Sequence, residues 1–134
     1  MKQIVVLGGG ISGYGSAILA KKKGFGVFLS DAGRIADRYK AKLDEWEVPY
    51  EEGGHTEERI LAATEVVKSP GIPDKAPMIV KLREAGIPVI SEMEFAGRYM
   101  GKAKCICITG SNGKTTTTSL IYKIMRDAGM NVAL

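Results

Sequence analysis

Short apolar runs punctuate the chain, and helical apolar periodicity fills the gaps between them. Lys2 to Leu7 closes on Ile4-Val5-Val6-Leu7, the makeup of a strand buried on both faces. A helix is predicted from about Ser12 to Lys23, with Gly24 at its C′ position and Lys21-Lys22-Lys23 at the negative end of its dipole. Gly26 to Ser30 reads as the second strand. Ile35, Tyr39, Leu43 and Trp46 then recur at helical spacing over Arg34 to Trp46, with Trp46 assigned to packing. Val48 to Glu52 is a short strand marked by Pro49. A brief helix follows from an N-cap at Thr56 to Leu61, and Glu65 to Lys68 is the next strand. Met78, Ile79 and Leu82 carry a helix over Ala76 to Ala85, stopped by Gly86, before a strand at Pro88 to Ile90. Ser91-Glu92-Met93-Glu94 has the form of a capping box opening a helix to about Met100, so its two glutamates are read as capping rather than as an acid–base pair.

Strands alternating with helices predict an α/β fold, a Rossmann-like parallel sheet flanked by helices, over residues 1–92. Residues 93–134 read as a linker and the start of a second domain. Cys105-Ile106-Cys107-Ile108 is a strand-type run there. A glycine loop and a helix bearing Leu120, Ile121, Ile124 and Met125 come next, then Gly129 and the strand-like Asn131 to Leu134. A chain that stops as a new strand begins is expected to be a fragment of a longer protein.

Two loops carry chemistry. Gly8, Gly10 and Gly13 form GxGxxG between the first strand and its helix, and Asp31 stands eighteen residues after Gly13 at the end of the second strand. That context predicts a phosphate at the helix N-terminus. It suits an NAD(P)- or FAD-binding domain of an oxidoreductase as well as another nucleotide ligand. The second loop, Gly110-Ser111-Asn112-Gly113-Lys114-Thr115-Thr116, also lies between a predicted strand and a helix. Its glycines turn backbone N–H groups inward, Lys114 brings a mobile cation to phosphates, and the Thr115 hydroxyl suits magnesium. A dinucleotide domain has no use for this second loop, which weighs against the oxidoreductase alternative. Ser69-Pro70-Gly71-Ile72-Pro73 fixes a further loop at the carboxyl end of a strand, where open α/β sheets bind ligands.

Composition adds exclusions. With 134 residues, 45% hydrophobic and 25% charged, the chain has the makeup of an ordinary globular domain. A net charge of +4 is a solvated lysine excess and gives no argument for nucleic acid. No apolar run has membrane-spanning length and the N-terminus lacks a signal-peptide layout, so a cytoplasmic location and no membrane partner are expected. Cys105 and Cys107, two apart on a strand, are assigned to the core rather than to zinc. His55, the single histidine, is assigned to the surface.

Taken together, Leu7-Gly8-Gly9-Gly10-Ile11-Ser12-Gly13, Ser30-Asp31, Ser69-Pro70-Gly71-Ile72, Ser91-Glu92-Met93-Glu94 and Thr109 to Thr116 resemble, in order, the N-terminal part of a Mur ligase. Asn112 and the Ser-Pro-Gly-Ile segment resemble the D-glutamate-adding branch more than the L-alanine-adding one. The resemblance implies ATP-dependent amide-bond formation in cytoplasmic peptidoglycan synthesis. D-Glutamate would be added to UDP-N-acetylmuramoyl-L-alanine through an acyl phosphate. It further implies that Gly10, Ile11, Ser12, Asp31, Ala32 and Gly71 bind the UDP moiety, with Ile11 and Ser12 near the diphosphate and Asp31 by the uracil. ATP would take Gly110, Ser111, Asn112, Gly113, Lys114, Thr115 and Thr116, with Thr115 on Mg2+ and Lys114 stabilising phosphate. No catalytic residue is assigned, because the family's other magnesium ligands, modified lysine and D-glutamate domain lie beyond Leu134.

Two departures stand out. Asp31 is followed by Ala32-Gly33-Arg34 instead of a polar pair. Ile108 stands where a strict GxxxxGK has glycine, which is normal in the family and unlike a generic P-loop NTPase. The chain alone is expected to bind UDP-substrate without turnover. Its apolar 103–109 strand is expected to dock on the first domain's sheet or to pair with a second copy.

Overall fold

The computed structural model describes all 134 residues, and its contacts divide them into two units, Met1–Gly101 and Lys102–Leu134. In the first unit β1 (Gln3–Leu7), α1 (Ile11–Lys22), β2 (Gly26–Asp31), α2 (Asp37–Glu45) and β3 (Tyr50–Glu52) form one half of a wound sheet. The other half is α3 (Glu57–Leu61), β4 (Glu65–Lys68), α4 (Pro77–Glu84), β5 (Val89–Ser91) and α5 (Glu92–Gly97). All pairings are parallel and the strand order is β3-β2-β1-β4-β5. The α/β expectation holds.

Alternation along β1 explains its unbroken apolar run. Ile4 and Val6 pack into one core with Ala17, Ala20, Leu29, Leu43 and Phe95, whereas Val5 and Leu7 pack into a second with Phe28, Ile60, Ile79 and Leu82. The strand therefore contributes apolar burial to both layers, at about 25 cal/mol per Å². Helix α5 opens at the residue-92 boundary read from the sequence. It packs within the first unit through the buried Phe95. Ser91 caps it, its hydroxyl accepting the Glu94 N–H at 3.0 Å, while Glu94 pairs with Arg98 at 3.2 Å. The Ser91 half of the capping box forms, whereas the Glu94 carboxylate turns to Arg98 and the buried Glu92 leaves Oε1 without a hydrogen-bond partner. Ser91→Ala is expected to cost about 1 kcal/mol of stability. Denaturant unfolding checks this, and an unchanged midpoint would contradict it.

Several boundaries differ from the sequence reading. Helix α2 begins at Asp37, because Ile35 is buried in the preceding loop with its side chain over Gly9. Thr56 is the N-cap of α3 by position, but its hydroxyl donates to Glu51 Oε2 and makes no cap bond. Helix α5 ends at Gly97 rather than near Met100.

The second unit corrects more. Residues 103–109 and 131–134 form no strand, and the five-stranded sheet contains neither segment. A strand exists only through ladder partners, and these stretches have none. Cys105 and Cys107 are consequently exposed rather than in a core. Helix α6 (Lys114–Asp127) does form, yet it buries no residue, and Leu120 and Ile124 face solvent. No helix in the chain is long and apolar enough to cross a membrane.

Candidate functional site

The strand order reverses beside β1, where the chain runs outward through β2 and β3 on one side and through β4 and β5 on the other. Loops leaving β1 and β4 diverge there, and an open α/β sheet has its crevice at that point. Gly8, at φ +101°, donates its N–H to Ser30 O at 2.9 Å, and a Cβ on it would sit 2.7 Å from Ser69 Cβ. Glycine is what allows the two loops to touch. Lys68 secures the second loop, donating to Ile72 O at 2.6 Å with Asp74 at 3.5 Å. Between the loops lies a cavity of about 650 Å³, lined by residues from the ends of β1, β2 and β4 and from α4.

Of the residues singled out in the sequence, Gly10, Asp31, Ala32 and Gly71 line this cavity. Ile11 and Ser12 are exposed in the first turn of α1 and are not part of its wall. Asp31 is committed to backbone: its Oδ2 accepts the Gly9 N–H at 2.6 Å and its Oδ1 accepts the Gly33 N–H at 2.7 Å. It therefore braces the glycine loop and the turn after β2 together. Arg34 points away to Asp37, at 3.4 Å, and does not line the cavity.

Ile72 and Pro73 belong to the loop that the sequence placed at the ligand end of the sheet and also line the cavity, whereas His55 and Lys81 are wall residues the sequence reading missed. His55 is the main correction. It is half-buried, lines the cavity, and places Nδ1 2.6 Å from Ser30 Oγ. Its signal was positional: the loop after β3 opens at the same edge of the sheet as Asp31. Lys81 reaches the cavity from α4 and pairs with Glu57 at 2.5 Å.

In the second unit, Gly113 takes φ +76° as the N-cap residue of α6, a conformation that costs a residue with a Cβ roughly 1–2 kcal/mol. Thr117 N–H reaches back to Gly113 O at 2.9 Å, so the helix ladder starts directly at the glycine. Lys114 Nζ folds over the loop and donates to Gly110 O at 2.5 Å. Gly110, Ser111, Asn112, Gly113, Lys114, Thr115 and Thr116 thus make a loop with a cation across its mouth and the positive end of a 14-residue helix behind it.

Comparison with known proteins decides the family. Residues 2–91 match the model for the Mur ligase MurD-like N-terminal domain, and residues 108–134 match the Mur ligase middle domain. The chain belongs to the Mur ligase family. Across all of its length this Mur ligase chain is 66% identical to the UDP-N-acetylmuramoylalanine–D-glutamate ligase of Bacteroides fragilis, and 63% to that of Bacteroides thetaiotaomicron. It spans 30% of the length of each of these relatives. Among solved structures, a murein peptide ligase from Psychrobacter arcticus superposes with a TM-score of 0.74 at 27% identity, covering 96% of this chain and 27% of that one. The Thermotoga maritima UDP-N-acetylmuramate–alanine ligase gives 0.66 at 25%, covering 96% and 30%. Membership of the Mur ligases leaves the oxidoreductase alternative without support.

Proposed function

We propose that this chain is the uridine-diphosphate-binding domain, with the opening of the ATP-binding domain, of a cytoplasmic ligase of peptidoglycan synthesis. The proposed reaction joins the amine of D-glutamate to the carboxylate of UDP-N-acetylmuramoyl-L-alanine through an acyl phosphate. The observation that carries this reading is the switch-point cavity, where Gly10, Asp31, Ala32 and Gly71 converge from three loops. The names of the similar ligases supply the substrate class.

In this proposal the diphosphate lies toward Gly10, Ile11 and Ser12, because the first turn of α1 presents backbone N–H groups and positive potential. Uracil lies by Asp31 and Ala32. A carboxylate repels phosphate, so Asp31 suits the nucleoside end of the ligand and not its charged end. The second loop fits ATP by its own chemistry. The Gly110 carbonyl holds Lys114 Nζ where a phosphate oxygen would be a stronger partner, and the Thr115 hydroxyl makes no hydrogen bond within the protein. Lys114 would hold ATP phosphates and Thr115 a magnesium ion, with the metal neutralising phosphate charge. The catalytic groups come from sequence beyond this chain, so the chain alone binds without turning over.

Calorimetric titration of the chain with UDP-N-acetylmuramoyl-L-alanine, UDP, NAD and ATP–magnesium tests the reading. The UDP ligands are expected to bind in the micromolar to millimolar range, roughly −8 to −4 kcal/mol. Lys114→Ala is expected to leave their affinity unchanged, because Lys114 belongs to the other loop. NAD binding without a response to UDP would overturn the proposal.

A further inference from the structure

The wall of the switch-point cavity contains a hydrogen-bond relay whose direction can be worked out atom by atom. Ser30 is fully buried at the end of β2. Its Oγ lies 2.6 Å from Glu51 Oε1 and 2.6 Å from His55 Nδ1, with Gly54 O farther off at 3.5 Å. Glu51 receives two more donors, the Thr56 N–H at 2.8 Å and the Thr56 hydroxyl at 2.5 Å. Burial opposes ionisation of Glu51. The hydrogen bonds from Ser30 and Thr56 outweigh it and hold the carboxyl below its usual range.

An ionised carboxylate only accepts, and a serine hydroxyl has one proton. The Ser30 proton therefore goes to Glu51 and its lone pair turns to the imidazole. Nδ1 must then be the protonated nitrogen of His55, and in the neutral ring Nε2 is left as a bare acceptor on the edge away from Ser30.

We infer that His55 reads a neutral hydrogen-bond donor of the bound nucleoside through Nε2, with Ser30 and Glu51 as positioning residues that set its tautomer. The inference rests on the UDP reading of the cavity. It commits the contact to a ribose hydroxyl or the uracil imide N–H, since ionised phosphates offer no proton. It also gives the cavity a means of discrimination, because a site built to accept from a donor is left unsatisfied by an analogue lacking it.

His55 is the chain's single histidine, so its ring nitrogens give unambiguous signals in a proton–nitrogen correlation spectrum. In alkaline buffer the free chain is expected to show a protonated Nδ1 and a bare Nε2. Ser30→Ala is expected to return the ring to the opposite tautomer. Saturating UDP is expected to shift Nε2 while Nδ1 holds. Analogues lacking the 2′- or the 3′-hydroxyl, or methylated at uracil N3, identify the donor as the one whose removal leaves Nε2 unmoved. His55→Asn, which keeps a donor for Ser30 but has nothing at the Nε2 position, is expected to lose about tenfold in UDP affinity, and His55→Gln to regain most of it. Protonated Nε2 in the free chain would overturn the inference, as would His55→Asn binding UDP like the parent. UDP bound with ring signals unmoved sinks this inference alone, whereas no UDP binding by the parent sinks the UDP reading as well.

Discussion

Gly13→Ala is expected to lower the unfolding free energy by about 3 kcal/mol, the upper end of what overpacking costs. A Cβ on Gly13 would lie 1.9 Å from the carbonyl oxygen of Gly8 and 2.9 Å from its carbon. Both are backbone atoms, so no rotamer change relieves the clash. Separating α1 from β1 is the alternative, and it would uncover Ala17 and Ala20, which are fully buried against the sheet. For the 101 residues of the first unit, this loss corresponds to a Tm decrease of roughly 15 °C. Gly10→Ala supplies the contrast. Nothing lies within 4 Å of its Cβ position, so no clash arises and the expected loss is that of an N-cap glycine replaced by alanine, about 1 kcal/mol or less. Gly10 also lines the cavity, however, and UDP affinity is expected to fall if the proposed site is correct. Thermal unfolding of the two variants beside UDP titration separates the packing glycine from the proposed ligand glycine. A Gly13→Ala chain as stable as the parent would remove the close-approach argument.

How much of this was legible beforehand follows from what each signal reports. The strands β1, β2 and β4 announce themselves because two-sided burial demands consecutive apolar residues, as Ile4-Val5-Val6-Leu7 shows. The GxGxxG loop was legible because its glycines answer to local geometry, the positive φ of Gly8 and the close approach at Gly13. Periodicity is blind to burial outside regular elements, and so Ile35 was counted into a helix although it caps Gly9 from a loop. Nor can it supply ladder partners, and so the apolar run at Cys105 to Ile108 looked like a strand that this chain does not form. His55 was passed over for a third reason. Its meaning depends on Ser30, twenty-five residues away, and only the parallel register of β2 on β3 brings the two loops together.

Asp31 tests how far the brace and the ligand site are one device, and Asp31→Ala is expected to have the second largest effect. Each of its oxygens accepts one backbone N–H, from Gly9 and from Gly33. Hydrogen bonds to a charged acceptor contribute on the order of 1.5–3 kcal/mol each. The Gly33 bond is exposed and water can replace it, while the Gly9 bond is part-buried. The expected net loss of stability is therefore nearer one such bond than two, about 2 kcal/mol. UDP affinity is expected to fall by about tenfold or more, because the loop proposed to face the diphosphate loses its anchor and the nucleoside proposed to lie there loses an acceptor. Asp31→Asn separates these contributions. Its amide oxygen can still serve Gly9, so stability is expected to recover substantially, while its NH2 meets the Gly33 N–H donor to donor. If affinity recovers with stability, the brace accounts for the binding defect. If stability recovers and affinity does not, the carboxylate itself touches the nucleoside, as the proposed site requires. Asp31→Ala binding UDP like the parent would remove Asp31 from the site and leave it only as the tie between the glycine loop and the turn after β2.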